Sequence, residues 1–269
     1  MNDHKSERGV LYCATGEPYL DQATLSAKSV KAHTGLSCAV CTDAETVDPV
    51  WDVVIPLEKS DAPHHQYMTD KLQALIRSPF VDTLYLDSDT YVLDDISELF
   101  TLLDKFDLAI CHGHRRQLRY DLQHGRTHFR GVKRAVTLAE IPYAFSPVQG
   151  GLLLFRKKGR IDKWLQDLVR LYGQKQYYDD QASMRELMWT GDLRFYILAP
   201  EYNFNSLGQM KRWLREGKVS ATPKIFHYTR CHYKRVPRLV KRTMRRRFIF
   251  YRLFNKLRLI LRAAVRRVF

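Results

Sequence analysis

The sequence predicts an α/β protein with a mostly parallel β-sheet and helices on both of its faces. Three observations carry that expectation. Short apolar runs rich in Val, Leu and Tyr alternate with longer segments whose apolar residues recur at helical spacing. The first of these runs ends at Gly16, a common exit for a buried parallel strand. A later run ends on a pair of carboxylates, and α/β sheets bind ligands outside the carboxyl ends of their strands. Alternating units of this length leave a covered parallel sheet as the simplest topology.

Taken in order, GVLYCATG (9–16) reads as the first strand. LDQATLSAKSVKAH (20–33) puts Leu20, Ala23, Thr24, Ala27 and Val30 on one helical stripe, with Gly35 as its stop. CAVCT (38–42) and WDVVIPL (51–57) are further strands, and MTDKLQALIRS (68–78) is a helix. TLYLD (83–87) and VQGGLLLFRK (148–157) read as strands, and WLQDLVRLYG (164–173) and DQASMRELMW (180–189) as helices. The stretch from His112 to Arg134 is different. Four histidines, His112, His114, His124 and His128, stand among seven Lys and Arg without any period. An irregular basic insert of this length is a functional loop or lid, or else a solvated excursion.

Composition excludes several classes. With 269 residues, 45% hydrophobic and 27% charged, the chain has ample core for one large α/β domain and is neither disordered nor collagenous. No stretch of 18 residues is free of charge, so no transmembrane helix is expected. MNDHKSERGV carries no apolar run, so no secretory signal is expected and the chain is placed in the cytoplasm. Its five cysteines, Cys13, Cys38, Cys41, Cys111 and Cys231, are then thiols. Cys38 and Cys41 have redox or metal spacing, but no second pair follows and they fall in a strand.

The net charge of +15 is not spread evenly. All 29 acidic residues lie at or before Glu216, together with 27 of the 44 Lys and Arg, so that part is near neutral. The last 53 residues carry the whole excess. This divides the chain into a body, 1–237, and a basic tail, 238–269. As a helix the tail would align Phe250, Leu253, Phe254, Leu257, Ile260, Leu261, Ala264 and Val268. Arg252, Lys256, Arg258, Arg262 and Arg266 fall opposite, with Leu259 as a lone exception. Such an amphipathic C-terminal helix suits an anionic membrane surface, or packs on the body with its charge solvated. Nucleic acid is the weaker partner, because phosphates need no apolar stripe and the body has no recognition motif.

The sharpest chemical feature is TLYLDSDTYVL (83–93). Asp87 and Asp89 stand at i and i+2 just past an apolar strand, where both carboxylates can turn toward one hard divalent cation. Asp-Ser-Asp is also good turn chemistry in its own right.

With this motif in place, the chain resembles GT-A nucleotide-sugar glycosyltransferases of the glycosyltransferase family 8 kind. That group includes glycogenin and bacterial lipopolysaccharide galactosyltransferases. The similarity runs over residues 9–235, with the pieces in the family's order. VLYCATGEPYLDQATLSAKSV is similar to the family's first strand, nucleotide loop and helix, which implies Thr15 and Tyr19 at the nucleobase. TDKLQAL implies that Lys71 reaches the nucleotide-sugar, and LDSDTYVL implies Asp87 and Asp89 as metal ligands with Ser88 between them at the donor. VQGGLLLFR resembles the strand that contacts the donor sugar, here through Gln149 and Gly150. YDDQAS supplies Asp180 and Gln181 beside the reacting sugar, and KIFHY supplies His227 as third metal ligand.

Two departures stand out. The family strand usually reads Asn-Ser-Gly, where this chain has Gln149-Gly150-Gly151. Three and six residues after the metal histidine the family shows Gly and Lys for the diphosphate. Here Arg230 and Tyr233 occupy those places, with Lys234 next, so Arg230 or Lys234 supplies the phosphate charge.

The resemblance implies a metal-dependent (Mn²⁺ or Mg²⁺) retaining transferase. It would move a hexose from a UDP-sugar to a glycan or lipid-linked acceptor at the cytosolic face of a membrane. The alternative is a non-catalytic sugar-nucleotide or membrane-binding protein of the same fold.

Overall fold

The computed structural model describes residues 7–57, 65–113, 141–142, 144–175, 180–216, 219, 223–228 and 233–241. The irregular insert beyond Gly113, Arg230, Cys231 and the tail beyond Lys241 lie outside the described residues.

The strands are β1 (Arg8–Ala14), β2 (Ser37–Thr42), β3 (Val53–Pro56), β4 (Asp82–Leu86), β5 (Thr90–Val92), β6 (Leu108–His112), β7 (Val148–Arg156), β8 (Phe195–Leu198) and β9 (Ile225–His227). The helices are α1 (Glu17–His33), α2 (His65–Ile76), α3 (Arg160–Lys175), α4 (Asp180–Thr190) and α5 (Leu207–Glu216). A 3-10 segment covers Ser97–Asp104.

Seven strands form one sheet in the order β3-β2-β1-β4-β7-β6-β8, and β5 and β9 form a separate two-stranded ribbon. Pairing is parallel throughout the large sheet except at β7, which runs against both β4 and β6. The expected mostly parallel sheet is present, with one reversed interior strand, β7, beside the central β4. That reversal positions the site. The register Leu86↔Leu152 brings the first residues of β7 beside the carboxyl end of β4.

The period of two along each strand sorts its side chains into two cores. Leu11, Cys13, Ala39, Cys41 and Tyr85 face a core shared with α2, α3 and α4. Val10, Tyr12, Ala14, Val40, Leu84 and Leu86 face the other, shared with α1 and the 3-10 segment. On α3 the inward stripe is Ile161, Trp164, Leu165, Leu168 and Tyr172, a helical spacing of three, four and seven. A third cluster joins Phe204, Met210, Phe226 and Tyr228 to Val236 and Val240, so the residues just past β9 pack on the body.

Cys13, Cys38, Cys41 and Cys111 are buried free thiols, as the sequence predicts. Burial pushes Cys38 and Cys41 up to about 12, which keeps them protonated and unreactive. Among the described residues no helix is long and apolar enough to cross a membrane. Strands β5, β6 and β8 and helix α5 were not expected from the sequence. β8 is four residues long and β5 three, too short for periodicity to separate strand from loop.

Candidate active site

The site lies where the carboxyl ends of β1 and β4 meet the start of β7. Asp87 follows β4 directly, and its backbone N–H donates to the Gly151 carbonyl at 2.9 Å. The chain then turns tightly, closed by the Thr90 hydroxyl donating to the Asp87 carbonyl at 2.8 Å. The turn and metal readings of Asp-Ser-Asp therefore coincide, since this turn brings both carboxylates to one side. The Ser88 hydroxyl is buried and donates to the Cys13 carbonyl at 3.3 Å, so it points into the sheet.

The β5–β9 ribbon supplies the third group. Its register pairs Thr90 with His227, and the Tyr228 N–H donates to the Asp89 carbonyl at 2.8 Å. His227 Nε2 consequently stands 2.8 Å from Asp89 Oδ1 and 3.8 Å from Asp87 Oδ2. One donor atom from each of Asp87, Asp89 and His227 lies within 4.8 Å of the others. Burial by itself would lower the His227 pKa, but Asp89 and then Asp87 outweigh it and hold the ring above its ordinary value. The reciprocal holds for Asp89. Burial would raise it, and His227 brings it below the usual carboxylate range.

Lys71 connects this group to Asp180. It occupies the inward stripe of α2 with Leu72 and Leu75, and is 2% exposed. Its Nζ sits 3.0 Å from Asp87 Oδ1 and 2.8 Å from Asp180 Oδ2. It also donates to the Gly150 carbonyl at 2.9 Å and lies 5.0 Å from the centre of the Tyr85 ring. Burial would lower its pKa. Asp180 and Asp87 more than reverse this, and the ammonium stays charged. Tyr85 completes the cluster by donating its phenol to Asp87 Oδ1 at 3.0 Å.

Two glycines are required by space. A Cβ on Gly151 would stand 2.4 Å from His227 Cε1 and 2.7 Å from Asp87 Oδ2. One on Gly150 would stand 2.8 Å from Asp180 Oδ2. The departure from the family's Asn-Ser-Gly thus accompanies a tightly closed cluster in which a serine at 150 would displace Asp180.

The remaining expected residues spread around this centre. Thr15 is half-buried at the end of β1, and Tyr19 is 50% exposed on α1, stacked on Tyr67 with ring centroids 5.8 Å apart. Gln181 is half-buried beside Asp180 on α4. The carboxamide of Gln149 is engaged inside the protein by Gly151, Asn203 and His227. Tyr233 donates its phenol to Asp21 of α1 at 2.6 Å, and Lys234 lies with its Nζ 5.6 Å from the centre of the Tyr233 ring. Sequence reasoning missed Tyr67, Tyr85 and Asn203. Only Tyr85, inside the strand that ends on Asp87, left a local signal.

No protein-family model and no curated protein matches the chain. Solved structures do. The galactosyltransferase LgtC, in complex with donor and acceptor sugar analogs, is similar at 16% identity and a TM-score of 0.58, over 82% of this chain and 87% of that one. Mouse xyloside xylosyltransferase 1 in its apo form is similar at 14% identity and a TM-score of 0.51, over 83% and 98%. The apo-form glycosyltransferase GlyE of Streptococcus pneumoniae TIGR4 is similar at 19% identity and a TM-score of 0.52, over 83% and 54%. This chain therefore has the α/β fold of GT-A glycosyltransferases.

Proposed function

We propose that the protein is a metal-dependent, retaining glycosyltransferase. It would move a hexose from a nucleoside diphosphate sugar, with UDP as the nucleotide, to a glycan or lipid-linked acceptor. The observation that carries this reading is the buried Lys71, which ties Asp87 to Asp180 at the carboxyl end of the sheet.

The donor set fits a hard divalent cation such as Mn²⁺ or Mg²⁺. Two carboxylates and one imidazole nitrogen converge from a turn and a strand that are paired to each other. Asp87, Asp89 and His227 would hold it, and when bound it would neutralise charge on the departing diphosphate.

The chain's own residues account for the rest. Tyr19 offers an exposed ring face for the nucleobase. Lys234, or Arg230 nearby in sequence, adds positive charge for the diphosphate. Asp180, held by Lys71 against the start of β7, keeps a carboxylate where positive charge grows on the sugar as the bond to the leaving group stretches. Gln181 is the neighbouring alternative for that role. The basic tail would hold the enzyme at the cytosolic face of an anionic membrane, next to a lipid-linked acceptor.

A panel of UDP- and GDP-sugars tests the proposal, each incubated with the protein and Mn²⁺ and assayed for released nucleoside diphosphate. Metal-dependent release from one UDP-sugar supports it. Tight donor binding without any turnover, with soluble acceptors and lipid-linked ones alike, would leave the non-catalytic reading instead.

A further inference from the structure

Strand β9 ends on His227 at the metal-binding group, and six residues later the chain is fastened at a second point. Tyr233 opens a short 3-10 segment, Tyr233–Arg235. Its phenol donates to Asp21 Oδ2 at 2.6 Å, across 212 positions of sequence. Asp21 lies on α1, two residues past Tyr19. One anchor thus stands at the metal-binding group and the other beside the ring proposed for the nucleobase. A bound nucleoside diphosphate has to join the same two places.

Tyr233 stands where the resembled family has a lysine for the diphosphate. A phenol cannot replace that charge. Asp21, by accepting its proton, holds it above its ordinary value, so it stays neutral. The charge sits one residue on. Lys234 is exposed, with its Nζ 5.6 Å from the centre of the Tyr233 ring, and it interacts with the same hydroxyl. Packing fixes the chain beyond it. Val236 is fully buried in the third cluster, against which the Tyr233 ring also packs. Lys234 therefore lies, in sequence, between a polar anchor on α1 and an apolar one in the body.

We infer that Tyr233 is a positioning residue, whose hydrogen bond to Asp21 latches the segment after β9 onto α1 and holds the Lys234 ammonium for the donor's diphosphate. This deepens the proposed function and rests on it. It also accounts for the departure from the family's lysine: a latch takes that place, and the cation moves one residue on.

Two measurements test the inference, and the first needs no nucleotide. Hydrogen exchange of the 233–241 amides, followed by mass spectrometry, should quicken in Tyr233→Phe and in Asp21→Ala. It should stay at the wild-type rate in Asp21→Asn, which keeps an acceptor oxygen. Unchanged exchange in the first two variants overturns the latch. The second is calorimetric titration with UDP and with uridine, Mn²⁺ present. Tyr233→Phe should weaken UDP about 10-fold, the worth of one hydrogen bond to a charged group. Uridine, which has no phosphates, should bind as it does to wild type. In a Lys234→Ala background the Tyr233→Phe change should weaken UDP no further. Wild-type UDP affinity in Tyr233→Phe, an equal loss for uridine, or a full further loss in the Lys234→Ala background overturns the positioning role. Wild-type protein that binds neither ligand contradicts the donor reading itself, and the exchange result then still upholds or overturns the latch.

Discussion

Lys71 Nζ stands 2.8 Å from Asp180 Oδ2, and both side chains are only 3% exposed. Asp87 shares the same ammonium at 3.0 Å. One buried cation thus serves two carboxylates, Asp87 and Asp180, that lie far apart in sequence.

Removing that cation would leave two carboxylates facing each other in a dry setting. Lys71→Met should destabilise the fold by about 3–5 kcal/mol, the cost of orphaning a buried charge pair. Urea unfolding followed by circular dichroism measures it. A loss under about 1 kcal/mol would show that Lys71 is a solvated surface cation after all.

Asp180→Asn should act on the chemical step. Its charge matters most when the sugar turns cationic, so kcat should fall at least about 100-fold while donor KM changes little. A rise in donor KM with kcat intact would make Asp180 a binding residue and shift attention to Gln181.

Metal binding should depend on pH through His227, with a definite sign. The ring's folded pKa lies above its ordinary value of 6.5, owing to Asp89 and Asp87 acting against burial. In metal-free protein the His227–Asp89 pair thus contributes stability that is complete below that ordinary value, and is lost as pH rises through the raised one. A cation needs the same nitrogen bare, so Mn²⁺ affinity should climb over that same interval. Calorimetric titrations across neutral pH would show it. Affinity that is flat there, in wild type and in His227→Gln alike, would remove His227 from the site.

The tail should act at a distance from catalysis. Val240 is 6% exposed within the third cluster, so the informative truncation removes residues 242–269 and leaves that contact whole. The deleted segment carries ten Lys and Arg and no acid. Truncation should release the protein from anionic liposomes in flotation, and leave transfer to a soluble acceptor intact. Wild-type binding should weaken with salt yet persist in part, because its apolar stripe is not screened. Equal flotation of both proteins would end the membrane assignment.

What the sequence disclosed, and what it withheld, follows from the range of the forces involved. The apolar run before Asp87 announced both a buried strand and its end, because strand burial and chain exit are local properties. Lys71 was visible as a residue but not as a buried one. Read alone it passes for a surface cation, although it falls on the inward stripe of its helix three residues after Met68 and four before Leu75. Its partners lie 16 and 109 positions away, and no local pattern reports that. Asn203 is the extreme case. It sits in an irregular stretch between short elements, and its contact with Gln149 depends on a bridge that pairs Phe204 with Phe226 and on the start of β7. Ser88 shows the converse, being at the expected place but with its hydroxyl turned toward Cys13.

The most direct test of the account is turnover in Asp89→Asn. This change removes one charge from the metal-binding group while preserving size, and it spares the buried Lys71–Asp180 pair. With saturating Mn²⁺ and the best UDP-sugar from the panel, the account predicts that release of the nucleoside diphosphate falls by at least about 100-fold in a protein that melts near the wild-type temperature. Wild-type turnover in Asp89→Asn would contradict it.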